Sequence, residues 1–391
     1  MKSICVLLNG PIKNDHRVIK IINTLSNEHI IHLFYLNGSD ADKDIFNSNV
    51  FLFSFISEDT LFKKIKRHSI FWTEHNFLAK KAISKGIRYD IIWCNDLPTL
   101  CPGEKIAKYY EAKLIYDTHE IYLETLNQFF PSNSKGIKSY IFRISLFIMR
   151  TFGKIKEKSL IRKAQNVITV NNSLAEYFEN KYTITNIGVI MNFPTSSILN
   201  PNDFIDFRSR YSFNDDSKIL IYQGVLNRGR GIILLIESMK KIAENVKLII
   251  LGNGILKLEA QELVEKLNLE KRIKFIDKVP IVELLNYTSG ADFGVNLLED
   301  INLSKKFASP NKLYEYIHAG IPVICSNTIE NMKVLDKFKI GINVENNIDD
   351  ISSKINTFVL KDTKSYKLEC KRAALEYNWE CQEKSILNLI S

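Results

Sequence analysis

The chain has 391 residues, a mass of 45.1 kDa and a formal net charge of +9, with 45% hydrophobic and 25% charged residues. This composition is typical of globular proteins and excludes a disordered or low-complexity chain. The length predicts two domains at about 100–200 residues each, and no apolar run reaches the ~18 residues that span a membrane.

Short apolar runs alternate with helical patterns along the chain. Met1–Leu8 is too short for a signal peptide and predicts a first strand. Most runs are rich in Val, Ile and aromatic residues, which is typical of βαβ units with buried parallel strands. The predicted strands are Ser3–Leu8, Ile30–Leu36, Asp90–Cys94, Leu114–Asp117, Asn166–Val170, Gly188–Met191, Lys218–Gln223, Val246–Leu251, Ile273–Ile276, Phe293–Leu297, Pro322–Cys325 and Ile342–Val344.

The two series of strands predict an α/β protein with two doubly wound, Rossmann-like domains. The turn-rich stretch Asn192–Asn214 lies between the series. We expect a first domain at residues 1–195, a second at 196–370, and a C-terminal helix at 371–391 that crosses back to the first domain. Ligands of such sheets bind at the carboxyl ends of the strands, so the site is expected in a cleft between the domains.

The excess charge is concentrated in one helical segment. Nine basic residues and one acidic residue lie between Lys135 and Lys163, which argues against a nucleic-acid surface, since that needs basic residues spread over a face. The segment fits a core helix whose lysines reach water and equally a helix at an anionic membrane surface. Apolar and small residues at helical spacing predict one face, formed by Tyr140, Ile141, Ile144, Phe147, Ile148, Thr151, Phe152 and Ile155.

The six cysteines form no C-x-x-C pair. Three of them, Cys5, Cys94 and Cys325, lie in apolar runs. This pattern predicts reduced core thiols in a cytoplasmic protein, in preference to a disulfide framework or a metal site. Peripheral contact with the inner face of the cell membrane stays open at this point.

Polar segments follow three predicted strands of the first half. Gly10 would let a substrate approach the backbone closely, and Asp15 could instead cap the following helix. A His at a strand end can donate a hydrogen bond to a sugar or phosphate, or can be a capping or buried residue. The residues expected to face the cleft are Gly10, Asp15, Arg17, Asn95, Asp96, His119 and Glu120.

In the second half, the segment after Lys218–Gln223 is suited to phosphate. Three glycines from Gly224 to Gly231 free the backbone, and Arg228 and Arg230 can each pair with phosphate oxygens. A flexible surface turn would have a similar sequence. The turn Gly252-Asn253-Gly254 follows the next strand, and tight geometry alone would explain its glycines.

The most informative segment begins with Ser309-Pro310-Asn311-Lys312-Leu313 and runs through Glu315 to Pro322. Ser309 or Asn311 can cap a helix. Lys312 and Glu315 are three residues apart and share a face. The carboxylate could accept both hydroxyls of a ribose, while Lys312 and the first amides hold a diphosphate. An ordinary surface ion pair is the alternative.

Together these segments resemble family 4 of the glycosyltransferases. The resemblance rests on Tyr222-Gln223-Gly224 with Arg230-Gly231, on Leu251–Gly254, on Ser309–Val323, and in the first half on Asn95–Leu100 and Tyr116–Glu120. It runs from Gly10 to Pro322. It implies the GT-B fold and transfer of a sugar from a nucleotide-sugar with retention of anomeric configuration, of the type found in bacterial surface-polysaccharide synthesis.

The resemblance also implies roles for individual residues. Glu315 matches the glutamate that binds the nucleotide ribose, and Arg230 matches the basic residue that holds the diphosphate, with Arg228 assisting. His119, with Glu120 beside it, matches the histidine near the anomeric centre. The complete set implied for the nucleotide-sugar is Gly10, Gly224, Arg228, Arg230, Gly252, Gly254, Ser309, Pro310, Asn311, Lys312, Leu313 and Glu315.

Two positions depart from the family pattern. Phe307 stands where a second glutamate is common, and Val225 stands where a basic residue is common. These departures leave the donor sugar open. No cluster with metal-ligand spacing is evident, so we expect no metal and no cofactor, with the nucleotide-sugar as a substrate.

The sequence therefore predicts a retaining glycosyltransferase with a UDP- or GDP-linked donor. The predicted acceptor is a glycan or an undecaprenyl-linked glycan for a capsule, O-antigen or exopolysaccharide, with residues 135–163 on an anionic membrane and no nucleic-acid partner. A non-hydrolysing nucleotide-sugar 2-epimerase of GT-B fold and a catalytically degenerate nucleotide-sugar-binding paralogue are the alternatives.

Overall fold

The computed structural model describes residues 1–56, 76–125, 137–196, 204–299 and 303–390. The chain forms two compact units, Met1–Asn192 with Gln382–Ser391, and Phe193–Cys381. The observed boundary after Asn192 precedes the expected one after residue 195. Residues 371–381, expected in the helix that crosses back, belong to the second unit.

The first unit contains a parallel sheet of seven strands in the order β3-β2-β1-β4-β5-β6-β7. Its strands are β1 Ser3–Leu8, β2 Ile30–Leu36, β3 Val50–Phe55, β4 Ile91–Asn95, β5 Lys113–Thr118, β6 Asn166–Thr169 and β7 Gly188–Val189. Its α-helices are α1 His16–Ser26, α2 Asn76–Ser84, α3 Leu97–Tyr110, α4 Tyr122–Thr125, α5 Ile137–Ile161 and α6 Asn172–Tyr182, with 3₁₀ turns at Ile12–Asn14 and Asp40–Ile45.

The second unit contains a parallel sheet of six strands in the order β10-β9-β8-β11-β12-β13. Its strands are β8 Lys218–Gln223, β9 Val246–Leu251, β10 Ile273–Ile276, β11 Phe293–Asn296, β12 Val323–Ser326 and β13 Gly341–Val344. Its helices are α7 Phe207–Tyr211, α8 Ile232–Ser238, α9 Lys257–Lys266, α10 Ile281–Ser289, α11 Leu303–Lys306, α12 Asn311–His318, α13 Ile329–Lys337, α14 Ile348–Phe358 and α15 Lys364–Glu376. The last helix, α16, is Glu380–Ile390.

The central strands form the cores of both units. The side chains of β8 are buried from Ile219 onward, and those of β1 from Ile4 onward. Helices cover the sheets because each parallel strand needs a crossover connection. The strand order reverses between β1 and β4 in the first sheet and between β8 and β11 in the second. Ligands of doubly wound sheets bind outside the carboxyl ends of the strands at such points.

One strand was not predicted. β3, Val50–Phe55, lies at the edge of the first sheet and pairs with β2 alone. Its side chains are half-buried or exposed, and Phe51 is 49% exposed. The prediction relied on continuous buried runs, which an edge strand need not show.

The C-terminal segment of the chain packs on the first unit. The Lys113 Nζ donates to the Leu389 carbonyl at 2.7 Å, and the Met191 N–H donates to the Gln382 side chain at 3.0 Å. Thr24 donates to Glu383 at 3.2 Å. These contacts join α1, β5 and the residues after β7 to residues far away in sequence.

The six cysteines, all within the described ranges, are free thiols, and only Cys381 is exposed. Burial raises the pKa of the Cys5 and Cys94 thiols, so both stay protonated at neutral pH. No helix in the described part of the chain is long and apolar enough to cross a membrane.

Candidate functional site

Helix α12 is anchored to the second sheet by Tyr316. The phenol is fully buried, accepts the Gln223 N–H at 3.2 Å and lies 3.1 Å from the Val295 carbonyl, to which it can donate. The ring lies against Gly294, where an added Cβ would come within 2.3 Å of it. The side chain therefore bridges β8 and β11, whose own ladder has only two residue pairs.

Tyr316 places its neighbour Glu315 beside the carboxyl end of β8. The Gln223 Nε2 donates to the Glu315 Oε2 at 2.5 Å. The Thr288 hydroxyl, on α10, lies 2.7 Å from the Gln223 Oε1. Gln223 and Thr288 are buried, and Glu315 is half-buried. The carboxylate is thus held in a defined orientation at the end of the sheet where ligands of this fold bind.

The start of α12 differs from the prediction in one detail. Pro310 occupies the N-cap position and no side-chain hydrogen bond caps the helix, so neither Ser309 nor Asn311 is the cap. The Ser309 hydroxyl lies 3.0 Å from the Tyr314 hydroxyl instead, and Asn311 is the first helical residue. Without a side-chain cap, the first amides of the helix provide donors for an anion.

Lys312 lies in the first turn of the same helix, with Leu313 buried behind it. Its Nζ is 3.8 Å from the centre of the Tyr222 ring, within the range of a cation–π contact. Burial raises the pKa of Tyr222, while the charge of Arg230 lowers it. Two cations, Lys312 and Arg230, are therefore close enough to Tyr222 of β8 to interact with it.

The loop after β8 carries the predicted phosphate-binding residues. Gly231 has a φ of +66°, and an added Cβ would lie 2.4 Å from the Leu297 Cβ. The Gly231 N–H donates to the Glu299 carboxylate at 3.0 Å. Arg230 is half-buried and Arg228 is exposed. Of the two departures from the family pattern, Val225 is 49% exposed and Phe307 is half-buried.

Gly252 and Gly254 are required by backbone packing. An added Cβ at Gly252 would lie 2.0 Å from the Gly224 carbonyl oxygen, and one at Gly254 would lie 2.3 Å from the Leu226 carbonyl oxygen. The loops after β8 and β9 are also joined by a hydrogen bond from the Leu226 N–H to the Asn253 carbonyl at 3.0 Å. Close packing therefore explains both glycines, and their contact with a nucleotide-sugar stays a prediction.

In the first unit, a buried ion pair lies next to His119, the predicted site histidine. The Arg17 Nη2 donates to the Asp117 Oδ1 at 2.8 Å, and both side chains are at most 4% exposed. Arg17 also donates to the Ile190 carbonyl. The structure thus gives Arg17 contacts within the unit's core, and contact with an acceptor stays a prediction.

His119 lies between two carboxylates. Its Nδ1 is 3.5 Å from the Asp96 Oδ2, and its Nε2 is 3.7 Å from the Asp117 Oδ1. Burial alone would lower the pKa of His119, but Asp96 and Asp117 raise it to about 9. Burial would raise the pKa of Asp117, but Arg17 and His119 lower it to about 2. The imidazole is therefore protonated at neutral pH and is a cation and donor, not a general base.

Asp96, which holds His119 by hydrogen bonding, has a strained backbone conformation. Its φ of 60° and ψ of 164° fall in a region that residues other than glycine rarely adopt. Its Oδ1 accepts the His119 N–H at 3.0 Å, and its own N–H donates to the Asp117 carbonyl at 2.8 Å. Strain that persists beside a charged cluster supports a functional role for these strand ends.

The other predicted residues of the first unit lie at the same strand ends. The Asn95 Nδ2 donates to the Leu7 carbonyl at 3.0 Å and joins β4 to β1. Asp15 caps α1, since its side chain accepts the Val18 N–H at 3.1 Å. Gly10 follows β1 with open space where a side chain would be, and Glu120 is half-buried. The structure therefore brings His119, Asp96 and Asn95 together by direct contacts or adjacent sequence.

The basic segment forms α5, Ile137–Ile161, and Lys135 lies outside the described residues. Tyr140, Phe147, Phe152 and Ile155 are 69%, 71%, 55% and 64% exposed. The sole acidic residue, Glu157, is buried and accepts from Tyr182. Part of the basic charge is paired within the unit, because Arg150 contacts Glu124 at 3.1 Å and Lys163 contacts Glu104 at 2.7 Å. The exposed basic residues of α5 with described side chains are Arg143, Lys154 and Lys158.

Three residues of these sites were not predicted as site residues: Gln223, Thr288 and Asp117. Gln223 and Asp117 each lie near the end of a largely apolar buried strand, and a polar residue there is a sequence signal for a specific partner. Thr288 gives no such signal. In the described ranges, no group of three or more His, Cys, Asp or Glu side chains is placed to hold a metal ion, and the absence of a metal from the reaction stays a prediction.

Comparison with known proteins agrees with this geometry. Residues 203–376 match the model of the family described as "Glycosyl transferases group 1". An uncharacterized glycosyltransferase of Methanocaldococcus jannaschii is 25% identical over 292 residues, which cover 68% of this chain and 66% of the relative. The Campylobacter jejuni N-acetylgalactosamine-N,N'-diacetylbacillosaminyl-diphospho-undecaprenol 4-alpha-N-acetylgalactosaminyltransferase is 26% identical over 168 residues, 41% of this chain and 43% of that protein. The matches thus span less than two thirds of these relatives.

Solved structures show the same fold. Anabaena HepE in complex with UDP and glucose has a TM-score of 0.72 at 15% identity, covering 100% of this chain and 99% of that one. WaaG, a glycosyltransferase involved in lipopolysaccharide biosynthesis, has a TM-score of 0.70 at 12% identity, covering 100% of both chains. These likenesses confirm the predicted fold class, two Rossmann-like α/β units of GT-B type.

The family model and the names of the relatives agree with the prediction of a glycosyltransferase. The donor, the acceptor, retention and the pathway stay predictions. Residues 203–376 thus match the glycosyl transferases group 1 family, and the chain has the fold of the GT-B glycosyltransferases.

Proposed function

We propose that the protein transfers a sugar, with retention of configuration, from a UDP- or GDP-linked donor to a glycan or undecaprenyl-linked glycan in bacterial surface-polysaccharide synthesis. The observation that carries this proposal is the placement of Glu315. Its carboxylate lies one turn into α12, at the carboxyl end of the second sheet, with Gln223 holding one oxygen at 2.5 Å. A carboxylate so placed suits the hydroxyls of a ribose.

The diphosphate would lie beside this carboxylate. Lys312 and Arg230 both interact with Tyr222 of β8. The first amides of α12 lack a side-chain cap. When the bond between the anomeric carbon and the diphosphate oxygen breaks, negative charge develops on the leaving group. Fixed cations and helix amides stabilise that charge without reorganisation.

Retention is proposed to follow a front-face route. The acceptor oxygen attacks the face that the diphosphate leaves, and a phosphate oxygen takes the acceptor proton. His119 is protonated at neutral pH because Asp96 and Asp117 raise its pKa, so it can donate a hydrogen bond to the donor sugar or phosphate. Glu120, the next residue in the sequence, is proposed to take part in catalysis with it.

Two comparisons support the choice of substrates. HepE has been solved in complex with UDP and with UDP-glucose. The name of the Campylobacter jejuni relative gives a diphospho-undecaprenol-linked acceptor. By analogy, this chain takes a nucleoside diphosphate sugar and a lipid-linked glycan.

Nucleotide binding tests the donor half of the proposal. We expect UDP or GDP, among UDP, GDP, ADP and CMP, to bind in calorimetric titration. Glu315→Ala should weaken that binding about tenfold or more, because a hydrogen bond to a charged group contributes about 1.5–3 kcal/mol. Glu262→Ala, at an exposed position of α9, is the control and should bind as the wild type does.

Two results would contradict this assignment. Failure of all four nucleotides to bind would remove the donor site, and unchanged affinity in Glu315→Ala would remove the ribose contact. The protein is then incubated with nucleotide-sugars of the nucleotide that binds and with an undecaprenyl-linked acceptor, and the product is identified. NMR of the new anomeric centre should show the configuration of the donor.

The exposed face of α5 is proposed to contact an anionic membrane. It combines aromatic side chains with basic ones, and the segment's sole acid, Glu157, is buried. Apolar insertion and attraction to anionic lipids together give reversible binding of such helices. This surface would bring a lipid-linked acceptor to the enzyme.

Vesicle sedimentation tests this contact. We expect binding to phosphatidylglycerol vesicles at low salt, much weaker binding at 1 M salt because of screening, and little binding to phosphatidylcholine. Lys154→Glu with Lys158→Glu should remove most of the binding. The paired change Lys361→Glu with Lys364→Glu, exposed in the second unit, should leave it intact. Equal loss in both double variants would point to net charge and not to α5.

A further inference from the structure

Gln223 connects three elements of the second unit through one buried side chain. It is the last residue of β8, its Nε2 donates to Glu315 on α12 at 2.5 Å, and its Oε1 lies 2.7 Å from the Thr288 hydroxyl on α10. Gln223 is 1% exposed and Thr288 is fully buried. A buried amide with partners at both ends has a single orientation.

The Glu315 carboxylate determines that orientation. If the amide were reversed, its oxygen would face the carboxylate oxygen at a distance of 2.5 Å, which is repulsive for two acceptors. The Nε2 therefore faces Glu315, and the hydrogen bond is charge-assisted and short. The backbone supports the same arrangement, because the Gln223 N–H donates to the Tyr316 hydroxyl at 3.2 Å.

The partner is a neutral donor, and this has a consequence for the carboxylate. A lysine or arginine at this position would fix the carboxylate but also neutralise it. The amide fixes the carboxylate without adding a charge to it. A carboxylate has about four acceptor positions on its two oxygens, and the amide donor occupies one of them.

We propose that Gln223 is a positioning residue that orients the Glu315 carboxylate and thereby determines the preference of the site for ribose over deoxyribose. The inference rests on the proposed function, since it takes Glu315 to bind the nucleotide's ribose. Thr288 acts on Glu315 indirectly, because its hydroxyl contacts the amide oxygen of Gln223. Neither side chain needs to touch the ligand.

A purely structural role for Gln223 would have a different signature. Loss of a buried hydrogen bond would then lower stability and weaken all nucleotides by the same factor. A positioning role changes the ratio of two affinities, because only the ribose hydroxyls meet the carboxylate. The comparison of a nucleotide with its 2′-deoxy form, and with its 3′-deoxy form, measures that ratio.

The experiment compares UDP with 2′-deoxy-UDP and 3′-deoxy-UDP by calorimetry, with the GDP series in parallel. Gln223→Met keeps the length of the side chain and removes both polar atoms. We expect the wild type to prefer ribose over at least one deoxy form, and Gln223→Met to lose about fivefold to tenfold of that preference, within the range of a hydrogen bond to a charged group. Affinity for the deoxy form should change little.

Thr288→Val is the second variant, since it removes the far support and leaves the Gln223 donor in place. Its preference should fall in the same direction by a smaller factor, about twofold to threefold. It also keeps the test decisive if Gln223→Met does not fold, because an unchanged ribose preference in Thr288→Val would then overturn the proposal. Gln261→Met, on half-buried Gln261 of α9, is the matched control and should keep the wild-type ratio.

The outcomes separate the inference from the proposed function. If the wild type binds none of these nucleotides, the donor site itself is wrong and the inference falls with it. If Glu315→Ala abolishes the ribose preference but a folded Gln223→Met retains it in full, the donor site stands and the positioning role is overturned. Equal weakening of ribose and deoxyribose forms in Gln223→Met also overturns it.

Discussion

Replacing Arg17 by methionine is expected to lower the free energy of unfolding of the first unit by about 3–5 kcal/mol, the usual cost of removing one partner of a buried ion pair. The change leaves the Asp117 carboxylate fully buried without its donor at 2.8 Å. The His119 Nε2, 3.7 Å away, is beyond hydrogen-bond distance and compensates the carboxylate's charge without replacing the lost hydrogen bond. The Ile190 carbonyl loses its donor as well.

Urea unfolding of the full chain, followed by probes in each unit, measures this effect. Lys163→Met is the control in the same unit, because it breaks the ion pair with Glu104, in which the Lys163 side chain is 51% exposed. An exposed pair contributes less than about 1 kcal/mol. If the two variants lose similar stability, the buried pair contributes no more to the free energy of unfolding than the exposed pair, and our account of this core is wrong.

Truncation of Tyr316 to alanine is expected to destabilise the second unit by about 3–5 kcal/mol, the usual cost of deleting a buried aromatic side chain. The fully buried ring fills the space over Gly294. Its hydroxyl also accepts the Gln223 N–H. Tyr316→Phe keeps the ring and should cost about 1–3 kcal/mol, because it leaves buried backbone groups unsatisfied.

Thermal and urea unfolding of both variants check the order of these losses. Leu258→Ala, at a position that is 68% exposed, is the control for truncation in the same unit and should change stability by less than about 0.5 kcal/mol. A Tyr316→Phe variant as stable as the wild type would show that the phenol does not support β8 and β11. Glu315 would then need another explanation for its position.

The central strands could be predicted closely from the sequence. β8 and β9, Lys218–Gln223 and Val246–Leu251, have the predicted bounds, because strands buried on both faces are continuous apolar runs. β3 could not be found in the same way. It is an edge strand with a 49% exposed Phe51, and its six residues lack a continuous buried run.

The site was predictable where its signals are local. The start of α12 and the spacing of Lys312 and Glu315 follow from a single stretch of sequence. The contact between Gln223 and Glu315 joins residues 92 apart, and that between Arg17 and Asp117 joins residues 100 apart. Only the folded sheet brings such pairs together, so their partners had no local sequence signal.

The contacts of the C-terminal segment have a consequence for synthesis of the chain. The first unit leaves the ribosome before the second, yet Lys113, Met191 and Thr24 contact residues 389, 382 and 383. These contacts form only after the whole second unit has been translated. Residues 1–192 therefore lack these contacts, and keep part of their surface uncovered, until residues 193–381 have been translated.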